Sequence, residues 1–111
     1  MARLKILSND DINKLFELPS LEDQDRPFVF ELDEEDKEYI NSFDNIPKKI
    51  NYLLQVGFFR ITNYFYNFTF QGIRKDTWYV IKTYFPEEKF PKKQVSKRHH
   101  YDNRDAILKK Y

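Results

Sequence analysis

The amino-acid sequence predicts an all-α, compact domain of four to five helices, with a helix-turn-helix-like arrangement at its basic C-terminal end. Three observations carry this. From Ile50 to Phe65 apolar side chains recur at three and four positions, the period of a buried helix. Residues suited to start a helix stand at Ser8, Asp33, Pro47 and Asp76, each ahead of an apolar stripe. Aromatic residues make up 18% of the chain, including eleven Phe and eight Tyr, and that bulk suffices for one core in 111 residues.

The first helix is expected to begin at Ser8, whose hydroxyl can accept from the free N–H groups of the first turn. Asp10 and Asp11 suit the positive end of its dipole, and Leu7 with Ile12 form a hydrophobic staple across the start. Ile12, Leu15 and Phe16 make its apolar stripe, which ends near Pro19. Residues 20–30 read as a connector, with Phe28, Val29 and Phe30 extended. Asp33 is the next cap, and Glu34, Glu35 and Asp36 fill the first turn of a helix over about 34–43.

Pro47 suits the first position of the third helix. Ile50, Leu53, Leu54, Phe58, Ile61 and Phe65 mark it as the centre of the core. Gly57 costs roughly 1 kcal/mol against Ala in such a helix, so close approach by another element is its expected use. In 66–73 Phe68 and Phe70 alternate with polar residues, which reads as an extended loop pinned by aromatics. Asp76 is expected to cap a fourth helix over about 77–85, closed by Pro86. After a Lys- and Pro-bearing connector, either Ser96 or Asp102 caps a last helix containing Ala106, Ile107 and Leu108.

The composition narrows the function classes. With no Cys there is no disulfide framework, thiol nucleophile or Cys-based zinc site. No apolar stretch has the length of a signal peptide or a membrane span, so a cytoplasmic location is expected. No Gly-rich phosphate loop and no nucleophile–base pair is visible, so no catalytic residue is assigned. The net charge of +1 conceals two unlike halves. Residues 1–48 hold thirteen acids and six bases, whereas residues 49–111 hold five acids and thirteen bases. Such asymmetry predicts one surface suited to an anionic polymer.

The order of these features resembles the N-terminal domain of Tn-three-type transposases across nearly the whole chain. Carrying the resemblance are Ile6-Leu7-Ser8 through Leu18-Pro19, then Phe30-Glu31-Leu32-Asp33 with Tyr39-Ile40 following. The run Ile50-Asn51-Tyr52-Leu53-Leu54-Gln55-Val56-Gly57-Phe58-Phe59-Arg60 keeps the family's apolar spacing, Gln55 and Arg60. Arg98-His99-His100 through Arg104 and Ile107 resemble its later basic segment. Asn51 stands where the family usually has Gly, and the Pro-Gly that often follows Arg60 is absent.

The resemblance implies a single domain over 1–111, the N-terminal part of a larger transposase whose carboxylate-triad catalytic domain lies elsewhere. It implies a role in recognising the transposon's terminal inverted repeats. Double-stranded DNA and other domains of the same transposase are the expected partners, with no small-molecule substrate, cofactor, metal or membrane. Cations neutralise phosphates and guanidinium groups can read guanine, so the expected DNA-binding residues are Lys92, Lys93, Lys97, Arg98, His99, His100, Arg104 and Lys109. Lys48, Lys49, Arg74 and Lys75 are read as structural, as is Arg60, and Gln55 is expected to make a local or interhelical hydrogen bond. The alternative is a protein-interaction or dimerisation module with no direct DNA contact.

Overall fold

In the computed structural model, which describes residues 21–111, five helices follow one another with no strand among the described residues. They are α1 (Arg26–Val29), α2 (Glu34–Asn41), α3 (Ile46–Thr62), α4 (Arg74–Tyr84) and α5 (Lys97–Lys110). The helix expected over 8–18 lies outside the described residues. No described helix is long and apolar enough to cross a membrane.

Local chemistry sets most boundaries. Asp33 Oδ1 accepts from the Asp36 backbone N–H at 2.8 Å and so caps α2, which ends at Asn41, two residues before the expected limit. Asn45 caps α3 through Lys48 N–H at 2.9 Å, with Pro47 in the first turn. That helix stops at Thr62 because Asn63 takes φ 61°, the left-handed conformation that Asn tolerates better than most residues. Phe65 therefore lies beyond α3 and not within it.

Two expectations are corrected. Arg26–Val29 is a short helix and not extended, with Pro27 in its first turn. Helix α4 begins three residues before 77, at Arg74, and Asp76 is a buried residue of its first turn and not its cap. Tertiary contact accounts for the second difference, since Asp76 Oδ1 accepts from Arg26 Nε at 2.7 Å. That ion pair fastens α1 to α4, with both side chains at least nine-tenths buried. Ser96, and not Asp102, caps α5, accepting from His99 N–H at 3.2 Å.

Helix α3 is the axis of the molecule, buried on every side from Ile50 to Phe58. A helix buried around its whole circumference has to be covered on all sides, and α1, α4 and α5 each pack against it. Phe30 meets Phe58 edge to face at 5.6 Å, and Phe58 in turn meets Tyr66 and Phe68 of the loop over 63–73. The close approach expected at Gly57 is made by the chain end of α1. A Cβ there would lie 3.0 Å from the Val29 carbonyl oxygen and closer still to the Phe30 ring.

Candidate nucleic-acid interface

Helix α5 carries the densest group of the expected DNA-binding residues, and its sequence divides into two faces. His100, Asn103, Ile107 and Lys110, spaced by three and four, form the inner line. Ile107 is fully buried, but most of what fastens this face is polar. Asn103 Nδ2 donates to the Lys48 carbonyl at 3.1 Å and to Asn51 Oδ1 at 3.0 Å. Gln55 Nε2 donates to Asn51 Oδ1 at 2.6 Å and to the His100 carbonyl at 3.0 Å, so the interhelical bond expected of Gln55 is present.

Asn51 Nδ2 and His100 Nδ1 lie 3.2 Å apart. With Asn51 Oδ1 accepting from two amides, its nitrogen is the donor, and neutral His100 carries its proton on Nε2. Burial holds the His100 imidazolium pKa below its usual value, and the nearby Arg104 charge adds to this. At the other end Lys110 pairs with Asp33 and, at 3.0 Å, with Asp36, which also accepts from the Tyr52 hydroxyl at 2.6 Å. The bonds to Asp33 and Asp36 outweigh the cost of burying the ammonium and hold the Lys110 pKa above its usual value.

The outer face presents Lys97, Arg98, Arg104 and Lys109, all exposed. Arg104 stays exposed while its guanidinium sits 5.3 Å from the Phe65 ring centre, a cation–π contact that limits its freedom. Interleaved with the cations are Asp102, Asp105 and the exposed side chains of Tyr101 and Leu108. Lys92 and Lys93 are exposed on the connector before α5, and His99 is half-buried at its first turn. Thus four of the eight expected residues share the outer face of one helix. His100 does not, because its ring is turned to Asn51 of α3, where burial, and after it the Arg104 charge, favour the neutral form.

Arg74, Lys75 and Lys82 form a second basic surface on α4, where Lys82 lies 5.7 Å from the Trp78 ring centre. Lys48 sits over Phe43 at 4.2 Å, and Arg60 donates to the Val29 carbonyl at 2.9 Å. The helix-turn-helix-like arrangement is not established by this packing. Residues 85–96 separate α4 from α5, twelve residues where such a motif has a turn of about three or four. Among the described residues no group of three or more His, Asp or Glu could hold a metal ion.

Sequence reasoning did not assign the amide cluster of Asn51, Gln55 and Asn103, all at least 98% buried. The available signal was the i, i+4 pair of amides inside the most apolar helix, since a buried amide needs a partner. Its partner, Asn103, lies on a helix distant in sequence.

A family model described as Domain of unknown function (DUF4158) matches residues 6–111. No curated protein and no solved structure matches the chain.

Proposed function

The chain belongs to the DUF4158 family, and we propose that it binds double-stranded DNA as a non-catalytic, N-terminal domain of a Tn-three-type transposase, at the transposon's terminal repeats. The observation that carries this reading is the cation row Lys97, Arg98, Arg104 and Lys109 on the outer face of α5. The inner face of that helix is held to α3 by amide hydrogen bonds and to α2 by the Lys110 ion pairs. A fixed helix with outward cations can neutralise phosphates at little ordering cost, and its guanidinium groups can pair with guanine edges. The likeness to transposase N-terminal domains supports the choice of DNA as the polymer.

Fluorescence anisotropy with a transposon-end duplex and a scrambled duplex across a salt series tests this. Four phosphate contacts give a log–log salt slope of roughly −3.6, at about −0.9 per contact. Tighter binding of the transposon end is expected, and binding that is absent or insensitive to salt sinks the reading. Tyr101, Leu108 and Tyr111, each about half exposed on α5 or at its C-terminal end, favour a second reading. On that reading α5 docks a protein partner or another transposase domain through these side chains, with Asp102 and Asp105 in the contact.

A further inference from the structure

A cavity of about 300 Å³ opens between the loop over 63–73 and the first turns of α5. Its lining includes the aromatic residues Phe68, His100 and Tyr101, the amide-bearing Asn51 and Asn67, and Lys97, with no Asp or Glu. Phe68 is held by ring contacts to Phe58 at 6.2 Å and to His100 at 5.8 Å. Asn51, 98% buried, has two N–H groups on its amide nitrogen and bonds one partner with them, His100.

That donor set is selective. A simple anion would use Lys97 but not three rings, and an aliphatic ligand would leave the amides unmet. A planar heterocycle with donors and acceptors on its edge, joined to a phosphate, uses all three kinds of group. The volume lies at the small end of ligand cavities, which suits one nucleotide unit and not a larger ligand. Lys97 also belongs to the exposed cation row, so a strand running along α5 passes the mouth of the cavity.

We propose that this cavity takes a single unpaired base of the DNA strand held on α5, stacked against the rings of Phe68 and Tyr101 and bonded at its edge by Asn51 and Asn67. The proposal rests on the DNA-binding reading and names what that surface distinguishes, a helix with a base out of the stack.

The test uses the full chain with two labelled duplexes, one fully paired and one identical but for a single bulged 2-aminopurine. The bulged duplex is expected to bind roughly five- to hundredfold tighter, the range for one base stacking on an aromatic ring, with its emission quenched. Phe68→Ala removes the gain and the quenching and leaves affinity for the paired duplex unchanged. Phe68→Leu, which keeps the apolar bulk against Phe58, does the same should the alanine variant unfold. Equal affinity for both duplexes without quenching, or a gain that survives Phe68→Leu, overturns the cavity assignment and leaves DNA binding standing. Failure to bind either duplex overturns both. Quenching of the free 2-aminopurine nucleotide in the absence of DNA would assign the cavity to a soluble nucleotide and overturn the strand-borne base.

Discussion

Asp36 shows how one side chain can join three helices. It lies in the first turn of α2, accepts from Tyr52 of α3 and pairs with Lys110 of α5. Replacing Lys110 with Met keeps the bulk but leaves a fully buried carboxylate with only the Tyr52 hydroxyl. A loss of about 3 kcal/mol is expected in urea unfolding, because an uncompensated buried charge costs more than the pair contributed. Burial, followed by the Asp36 bond and charge, raises the Tyr52 phenol pKa and keeps it a donor. His100 supplies the pH dependence, facing neutral Asn51 and Gln55 on α3, Phe68 of the loop, and Arg104 and Lys97 on its own side. Its folded pKa lies below the ordinary 6.5, so the unfolded chain takes the proton first as pH falls. Its contribution to stability is present above about pH 6.5 and is lost as pH falls from there through the lower folded value. Denaturation midpoints measured between pH 7.5 and 5 should decline, and His100→Gln should flatten that decline.

At the scale of elements, α3 and α5 illustrate two ways of making a helix pack. Helix α3 meets α1 through apolar packing, and at Gly57 the end of α1 comes close enough that a Cβ would collide with it. Gly→Ala inside a helix ordinarily stabilises by roughly 1 kcal/mol. Here the added methyl group meets the Phe30 ring and the Val29 carbonyl, so Gly57→Ala should instead cost about 1–3 kcal/mol, read from the urea midpoint. Helix α5 is held by Ile107 and by amides whose partners lie far away in sequence. Asn103→Leu leaves Asn51 and the Lys48 carbonyl short of a donor, and a cost of about 1–3 kcal/mol is expected in the same measurement. The starts of α2 and α3 were legible because Asp33 and Pro47 act through their own helices, whereas both helices end earlier than their apolar periodicity suggested. The start of α4 was not legible, since Asp76 has the residue type of a cap but is bonded to Arg26, fifty positions away.

At the scale of the whole molecule, α4 and α5 each pack on α3 and display separate basic surfaces, one with Arg74, Lys75 and Lys82, the other with Lys97, Arg98, Arg104 and Lys109. Paired charge reversals separate their roles. Arg98→Glu with Lys109→Glu should abolish most duplex binding and lower the magnitude of the salt slope by roughly 2, as two phosphate contacts are lost. Arg74→Glu with Lys82→Glu should change the slope little, and the opposite pattern in anisotropy would move the interface to α4. Helix class, the burial of α3 and the cationic character of the later half were readable from the chain alone, because period, capping and composition are properties of neighbouring residues. Which cations point outward was not readable. His100 and Lys110 look as cationic as Arg98 and Lys109 in the sequence, yet one is turned to Asn51 and the other is paired with Asp33 and Asp36. Burial and partner choice between distant positions are settled by how the helices pack, since a side chain's charge and exposure follow from the surface its helix is pressed against.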